Sequence, residues 1–269
     1  MGKGKDTDLQ CLVDELRANG YGVIPPGQYL SDIEPAFMLL WNQVKPYTMI
    51  SVERAYSLYS SVLHIVQTGI RGDFVECGVW KGGAAMLMAL ALKQAGVGDR
   101  SICLFDTFMG MTEPSELDRV AWNRRPVRDK WEEDLRGEKN NFQWWAVSRD
   151  TVWKNMISTG YPAGSINLVE GDVMETLPSK APEHIALLRL DTDWYESTRH
   201  ELEQLFPRLR AGGILLIDDY GHFTGARKAV DEYFAGSPVF LHRDDYTGRS
   251  AVKQPVLSGI PNQSLMGRM

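Results

Sequence analysis

The alternation of strand-like and helix-like segments between residues 73 and 236 is the feature that most restricts the fold of this chain. Five apolar runs of strand length read DFVECG, SICLFDTF, SINLVEGD, HIALLRLDTD and GILLIDDYG, and helical patterns such as GGAAMLMALALKQAG lie between several of them. Strands that are apolar almost throughout are buried on both faces, as in parallel sheets covered by helices. The sequence therefore predicts a doubly wound, mostly parallel α/β fold, which binds ligands at the carboxyl ends of its strands.

Two regions lie outside this alternation. Residues 1–50 are predicted to form a separate N-terminal helical segment, which acts as a lid or in oligomerisation, ahead of a domain at residues 51–269. Residues 110–145 interrupt the rhythm and contain four of the eight tryptophans. Because long connections in compact domains are often functional, we interpret this insertion either as a lid over a substrate pocket or as a solvated helical excursion.

The composition argues against several classes of partner. The formal net charge of −6 is unfavourable for a nucleic-acid binder, which usually displays a basic surface. No apolar run is long enough to cross a bilayer, so no membrane partner is expected. Cys11, Cys77 and Cys103 are far apart, and we interpret them as reduced packing residues of a cytoplasmic protein.

The stretch FVECGVWKGG at residues 74–83 predicts a ligand-binding loop. Three glycines, Gly78, Gly82 and Gly83, follow a strand and precede a helix, so a ligand can approach bare backbone and the positive end of the helix dipole. The spacing is neither that of a dinucleotide fold nor that of a P-loop, so nucleotide phosphate is not the favoured ligand. Glu76 could accept hydrogen bonds from a cationic amine. The alternative is a glycine-rich turn without a ligand.

Two further acidic residues follow strands. Asp106 ends the second strand, where a carboxylate can bind both hydroxyls of a ribose, although a strand-end aspartate is often only a cap or a turn residue. Asp172 follows the third strand, where it either contacts an adenine edge or belongs to a turn.

The fourth and fifth strands each end in a pair of carboxylates. Neighbouring strands are about 5 Å apart, so these like charges repel each other unless some are protonated or a cation neutralises them. Mg²⁺ is the expected cation, because it prefers oxygen ligands. The alternative is that some of these acids cap the helices that follow. The carboxylates are Asp191, Asp193, Asp218 and Asp219, and His222 is close by as a further partner or a base.

Taken together, these motifs resemble the macrocin O-methyltransferase family of class I S-adenosylmethionine-dependent methyltransferases. The resemblance lies between residues 47 and 234, in the stretches YTMIS, GDFVECGVWKGG, LFDTFMG, LLRLDTDWYEST, FPRLRAGGILLIDDYGH and GARKAVDEYF. It implies a Rossmann-like sheet of seven strands, S-adenosyl-L-methionine and Mg²⁺ as cofactors, and a homodimer or larger homo-oligomer.

The resemblance also implies roles for individual residues. Asp191, Asp218 and Asp219 would bind Mg²⁺. Asp193 would be the general base, and His222 is the second catalytic candidate. The cofactor would lie against ten residues: Thr48, Met49, Glu76, Gly78, Gly82, Gly83, Asp106, Thr107, Asp172 and Asp191.

The predicted reaction is methyl transfer to a hydroxyl of a sugar on a secondary-metabolite scaffold of macrolide or aminocoumarin type. A sugar hydroxyl is a poor nucleophile, so Mg²⁺ would lower its pKa and Asp193 would take its proton. Two alternatives remain open, namely a Mg²⁺-dependent methyltransferase of catechols or other phenols, and a non-catalytic binding module of the same fold.

Overall fold

The computed structural model describes residues 3–24, 29–136 and 146–255, and a seven-stranded sheet is its main element. The strands are β1 Asp73–Cys77, β2 Ile102–Asp106, β3 Ile166–Glu170, β4 Ile185–Leu190, β5 Leu209–Ile217, β6 His242–Arg243 and β7 Arg249–Val252. Their order in the sheet is β3-β2-β1-β4-β5-β7-β6. Strands β1 to β5 are parallel, whereas β7 is antiparallel to β5 and to β6. The predicted mostly parallel α/β sheet of seven strands is confirmed.

Helices connect most of the parallel strands. Those of the described residues are α1 Lys3–Ala18, α2 Pro35–Val44, α3 Val52–Gln67, α4 Gly83–Gln94, α5 Val127–Arg136, α6 Arg149–Ser158, α7 Val173–Thr176, α8 Tyr195–Leu205 and α9 Thr224–Phe234. None of them is both long enough and apolar enough to span a bilayer.

The strand order places the ends of β1, β4 and β5 next to one another. Cys77 pairs with Leu190, and Leu190 pairs with Ile217, so the residues that follow these three strands emerge side by side. The chain runs outward from β1 to β2 and β3, and then returns to β4 on the other side of β1. Ligands of open α/β sheets bind in the crevice at such a reversal.

Helix α4 is buried along most of its length. Its residues from Gly83 to Leu92 are all buried, and most of them are alanine, leucine or methionine. A helix that is apolar on all sides belongs in the interior of a domain. Helix α3 begins at Val52, where the hydroxyl of Ser51 accepts a hydrogen bond from the amide of Arg54, a typical N-cap.

The chain divides into two compact units, residues 1–39 and residues 40–269. The sequence placed this boundary after residue 50 instead. Trp41, Val44 and Ile50 are buried, which explains why the stretch after Leu39 belongs to the larger unit.

The insertion predicted at residues 110–145 is described up to residue 136. It contains helix α5 and two isolated bridges, Arg119 to Pro126 and Val120 to Phe223. The second bridge attaches the insertion to the loop after β5. Residues 137–145 lie outside the described residues.

Candidate active site

The glycine-rich loop after β1 allows two backbone segments to approach it closely. A Cβ atom on Gly78, which has a φ of +81°, would lie 2.0 Å from the carbonyl oxygen of Asp191. A Cβ atom on Gly83 would lie 2.6 Å from the carbonyl carbon of Tyr47. Any side chain at these positions would therefore push away the loop after β4 or the segment that carries Thr48.

The carboxylate of Asp106 is held by the same loop. Its Oδ2 accepts hydrogen bonds from the backbone amides of Val79, at 2.6 Å, and Trp80, at 3.2 Å, and its Oδ1 accepts one from Phe108 at 2.7 Å. Burial raises the pKa of Asp106, and the three amides oppose that shift. Each carboxylate oxygen has more than one lone pair, so acceptor capacity for a ribose remains.

A buried arginine connects the glycine-rich loop with the carboxylates of the neighbouring strands. Nη1 of Arg189, on β4, donates to Glu76 Oε1 at 2.6 Å and to Asp191 Oδ2 at 2.7 Å. Its Nη2 donates to Asp218 Oδ1 at 2.6 Å. The guanidinium is 4 % exposed, so this cation is a permanent part of the site.

A second arginine approaches Asp218 from helix α3. Nη1 of Arg54 donates to Asp218 Oδ2, and its Nε donates to Asp245 Oδ2 at 3.0 Å. Asp245 also accepts from the hydroxyl of Ser51 at 2.8 Å. Both oxygens of Asp218 are therefore paired with guanidinium groups.

Three other carboxylates form a second group, and one of them, Asp191, also accepts a hydrogen bond from Arg189 through its Oδ2. One oxygen from each of Asp191, Asp193 and Asp219 lies within 4.8 Å of the others. Burial and the charges of neighbouring carboxylates raise the pKa of Asp191 and of Asp219 well above their usual range. The same causes raise the pKa of Asp193 to about 7. Carboxylates whose charged forms are disfavoured in this way are stabilised by a cation placed among them.

The group fits a hard divalent cation. Octahedral Mg²⁺ with oxygens at about 2.1 Å places neighbouring ligand oxygens roughly 3 Å apart, so the oxygens of this group, which lie within 4.8 Å of one another, would move slightly closer around the ion. Oδ2 of Asp219 is buried and has no hydrogen-bond partner among the described residues. The side chain of Asp191 is 27 % exposed, so an ion can reach the group from the cavity.

The predicted set of metal ligands differs from this group at one position. The sequence assigned Asp191, Asp218 and Asp219 to the metal and Asp193 to proton transfer. The structure places Asp193 with Asp191 and Asp219, while Asp218 is paired with Arg54 and Arg189. Local spacing could not anticipate the contacts of Asp218, because the two arginines reach it from other elements of the fold, and its assignment to the metal stays a prediction.

Glu76 has the geometry expected of an amine acceptor. Its Oε1 is bound by Arg189, whereas its Oε2 is buried without a hydrogen-bond partner among the described residues. Burial raises the pKa of Glu76 to about 7, against the opposing charge of Arg189. An ammonium group beside Oε2 would satisfy the oxygen and stabilise its negative charge.

His222 lies in a cluster of aromatic side chains at the cavity. Its Nδ1 is 3.0 Å from the hydroxyl of Tyr246, and the rings of Trp122 and Phe223 meet its own ring edge to face. Burial, together with the charge of Arg54, lowers the pKa of His222. Its imidazole is therefore mainly neutral at pH 7 and able to accept a proton.

One cavity of about 490 Å³ joins these groups. Thr48, Met49, Glu76, Gly78, Asp106 and Asp191 of the predicted cofactor residues line it, as do Asp193, Asp218, Asp219 and His222. The insertion contributes a further wall, formed by Gly110, Met111, Val120, Arg125, Pro126, Val127 and Lys130.

Four predicted cofactor residues do not line this cavity. Asp172 caps helix α7 and accepts a hydrogen bond from the amide of Met174 at 2.9 Å, which is the turn role that the sequence left open. The hydroxyl of Thr107 donates to the carbonyl of Gly110 at 2.7 Å and closes a turn. The others are Gly82, the N-cap residue of α4, and Gly83, its first residue.

Comparison with known proteins decides the family. Residues 41–239 match the family described as Macrocin-O-methyltransferase (TylF), which is well over half of the 269 residues. The chain belongs to the macrocin-O-methyltransferase family. It is an S-adenosylmethionine-dependent O-methyltransferase, as the sequence predicted.

Relatives of this methyltransferase include three named antibiotic-modifying enzymes. It is 32 % identical over 189 residues to the demethyldecarbamoylnovobiocin O-methyltransferase of Streptomyces niveus, a match that covers 70 % of this chain and 68 % of the relative. It is 32 % identical over 216 residues to the 8-demethyl-8-(2,3-dimethoxy-alpha-L-rhamnosyl)-tetracenomycin-C 4'-O-methyltransferase of Streptomyces olivaceus, with 80 % and 73 % covered. It is 31 % identical over 192 residues to the mycinamicin III 3''-O-methyltransferase of Micromonospora griseorubida, with 70 % of each covered.

Solved structures agree on the fold of this methyltransferase. The O-methyltransferase NovP superposes with a TM-score of 0.67 at 29 % identity, which covers 78 % of this chain and 83 % of NovP. The calicheamicin methyltransferase CalS11 superposes with a TM-score of 0.54 at 19 % identity, over 87 % of this chain and 95 % of that one. The second likeness concerns the fold alone.

Several site residues of this methyltransferase were missed from the sequence. Arg189 had a visible signal, since it is a charged residue inside the otherwise apolar strand LLRL. No local sequence pattern marks Arg54 or Asp245, because each contacts residues that are far from it in the sequence. Glu201 is fully buried on α8 and reads in the sequence as an ordinary charged helix residue.

Proposed function

We propose that this enzyme transfers a methyl group from S-adenosylmethionine to a sugar hydroxyl of a glycosylated natural product, and that it requires a divalent cation, Mg²⁺. The name of one relative states an acceptor of this type, a rhamnosyl tetracenomycin methylated at a 4' position, and the other two names state demethyldecarbamoylnovobiocin and mycinamicin III as acceptors. The observation that carries the proposal is the group of Asp191, Asp193 and Asp219, which shares one cavity with the glycine-rich loop.

In this proposal the glycine-rich loop holds the methyl donor. Oε2 of Glu76 accepts a hydrogen bond from the ammonium of the methionine portion, because this oxygen is buried without another partner among the described residues. Asp106 accepts from the ribose hydroxyls while its backbone contacts fix the orientation of the carboxylate. Thr48 and Met49 line the same side of the cavity.

Asp191 and Asp219 are the proposed protein ligands of the cation. Arg189 binds one oxygen of Asp191 and leaves the other for the ion. A divalent cation at this position supplies Lewis acidity, which makes a neighbouring hydroxyl of the acceptor easier to deprotonate.

Asp193 is the proposed general base. One of its carboxylate oxygens lies within 4.8 Å of oxygens of Asp191 and Asp219, which places it beside the proposed cation. The acceptor hydroxyl loses its proton to this carboxylate as its oxygen forms the new bond to the methyl carbon, and the bond from that carbon to the sulfonium sulfur breaks, which leaves S-adenosylhomocysteine. Neutral His222 lines the same cavity and is the second candidate for this step.

The insertion at residues 110–136 is the proposed acceptor wall and lid. It contributes an apolar surface through Met111, Val120 and Pro126, and two cations, Arg125 and Lys130. Nε1 of Trp194 donates to the carbonyl of Thr112 at 2.9 Å, so this wall is attached to the loop of metal-binding carboxylates. We also propose that the enzyme is a homodimer, which light scattering of the purified protein would test.

The experiment that tests the proposal is methyl transfer from labelled S-adenosylmethionine to a panel of demethylated glycosides, compared with a simple catechol. We expect transfer to at least one glycoside, loss of transfer in EDTA, and recovery with Mg²⁺. Transfer to catechol alone would favour the phenol alternative. Full activity after EDTA treatment, with no metal detected in the protein, would remove the cation from the proposal.

A further inference from the structure

The turn that carries the proposed metal site has an unusual backbone conformation. Asp193 has a φ of +68°, a left-handed value that costs a non-glycine residue about 1–3 kcal/mol unless the surroundings hold it. A change in this turn would move the carboxylates of both Asp191 and Asp193. The contacts that fix the turn therefore matter for the site.

Thr192, between the two aspartates, is held by hydrogen bonds through both its side chain and its backbone. Its hydroxyl donates to Oε1 of Glu201 at 2.9 Å. Its carbonyl accepts a hydrogen bond from the amide of Trp194 at 2.8 Å and one from the hydroxyl of Ser197 at 3.3 Å. Both the side chain and the backbone of Thr192 are thus engaged by helix α8 or by the residue before it.

The burial of Glu201 at this position is unfavourable for the free energy of folding. It is fully buried on α8 and does not line the cavity. Burial raises the pKa of Glu201 to about 8, although its hydrogen bonds with Thr192 and Cys77 oppose the shift. An apolar side chain of similar size would avoid the cost of burying a carboxyl group, and the hydrogen bond from Thr192 is the contact that links Glu201 to the turn of Asp191 and Asp193.

We propose that Glu201 is a positioning residue, which fixes the turn of Asp191 and Asp193 through the hydroxyl of Thr192. The inference rests on the proposed function, because it assumes that these aspartates bind or serve the cation. Groups that orient metal ligands without touching the metal typically contribute about 10–100-fold to metal affinity. Here the residue acts on the backbone between a proposed ligand, Asp191, and the proposed base, Asp193.

The test uses two pairs of variants in the full chain. Glu201→Met and Thr192→Val each remove the hydrogen bond, whereas Glu201→Gln and Thr192→Ser each retain a group able to make it. The readouts are Mn²⁺ affinity by calorimetry or electron paramagnetic resonance, and S-adenosylhomocysteine affinity. We expect Glu201→Met and Thr192→Val to weaken Mn²⁺ binding about 10-fold or more, with S-adenosylhomocysteine affinity within a few-fold of wild type.

The double variant distinguishes a shared contact from two separate defects. If the two side chains act through one hydrogen bond, Glu201→Met combined with Thr192→Val weakens Mn²⁺ binding no more than either change alone. Leu202→Ala, a buried neighbour on the same helix, serves as the control, because it should lower stability without changing Mn²⁺ affinity. Thr192→Val carries the test if Glu201→Met does not fold.

The outcomes separate this inference from the proposed function. If the wild-type protein binds no Mn²⁺, that result overturns both the proposed function and the positioning role of Glu201. Wild-type protein that binds Mn²⁺, together with folded Glu201→Met and Thr192→Val variants that bind it equally well, would overturn the positioning role alone. A fall in melting temperature with unchanged Mn²⁺ affinity would likewise show that Glu201 is only structural.

Discussion

Nη2 of Arg189 donates to Oδ1 of Asp218 over 2.6 Å, between two side chains that are both at least 90 % buried. This contact, with the second one from Arg54 to the other oxygen, pairs each oxygen of Asp218 with a guanidinium group. The arginines thereby neutralise part of the charge at the strand ends, and the carboxylate oxygens that lie within 4.8 Å of one another belong to Asp191, Asp193 and Asp219. The first two predictions follow from this division.

Removal of Asp219 should harm metal binding more than removal of Asp218. Asp219→Asn removes a charge from the group of Asp191, Asp193 and Asp219, so we expect Mn²⁺ affinity and turnover to fall at least 100-fold. Asp218→Asn leaves Arg54 and Arg189 short of a partner, so we expect lower stability, because breaking a buried pair commonly costs about 3–5 kcal/mol. Calorimetric Mn²⁺ titration and urea unfolding check both variants. If Asp218→Asn loses as much Mn²⁺ affinity as Asp219→Asn, then Asp218 is also a ligand of the cation.

Asp193→Asn should slow the reaction without preventing binding. The amide keeps the shape of the side chain but cannot accept the acceptor proton, and general-base catalysis contributes about 10²–10⁴-fold. We expect kcat to fall within that range, with the affinities for S-adenosylhomocysteine and Mn²⁺ within a few-fold of wild type. His222→Gln is the matched comparison and should cost less than 10-fold. A large loss of Mn²⁺ affinity in Asp193→Asn would instead make Asp193 a ligand and His222 the base.

The part of this architecture that could be predicted from the sequence is local. The apolar strands, the glycine-rich loop and the acidic residues after β4 and β5 are each visible within about ten residues, and strand-end residues of a parallel sheet must meet at one edge. The gathering of Glu76, Asp106 and the aspartates at residues 191–219 around one cavity follows from that rule.

The part that could not be predicted depends on distant partners. Arg54 and Asp218 are 164 residues apart in the sequence, and no local sequence pattern predicts their contact. The sequence offered protonation or a metal as the ways to relieve the repulsion, whereas the structure adds two internal guanidinium groups. Strand β6, with two residues, is likewise too short to carry a periodic signal.

Cofactor affinity should depend on pH through Glu76. Burial raises the pKa of this carboxyl to about 7, and an ammonium group binds the ionised form more tightly than the protonated one. Without added metal, S-adenosylhomocysteine should therefore bind more tightly as the pH rises from 6 to 8 and then level off. Glu76→Gln should bind about 10–100-fold more weakly at pH 8, as for loss of a charge-assisted hydrogen bond of roughly 1.5–3 kcal/mol. It should also lose the pH dependence, and an unchanged profile in this variant would move the amine contact elsewhere.

Asp118 should control the acceptor side of the cavity. This residue of the insertion is 1 % exposed, and its carboxylate accepts from the amide and hydroxyl of Ser115, both at 2.7 Å, and from the amide of Tyr195 at 2.8 Å. Asp118→Ala leaves buried donors unpaired where the insertion meets the helix that follows the turn of Asp191 and Asp193, at a cost of about 1–3 kcal/mol each.

We expect KM for the acceptor to rise at least 10-fold in Asp118→Ala, while S-adenosylhomocysteine affinity stays within a few-fold of wild type. Steady-state kinetics with any glycoside that the wild type methylates, together with calorimetry, measure the two effects. Glu116→Ala is the control in the same insertion, because Glu116 makes an exposed contact with Arg128 at 3.6 Å, which is worth at most about 1 kcal/mol. Equal KM values for Asp118→Ala and Glu116→Ala would show that the wall binds the acceptor without this anchor. A parallel loss of cofactor affinity would mean that Asp118 supports the whole cavity and not the acceptor side alone.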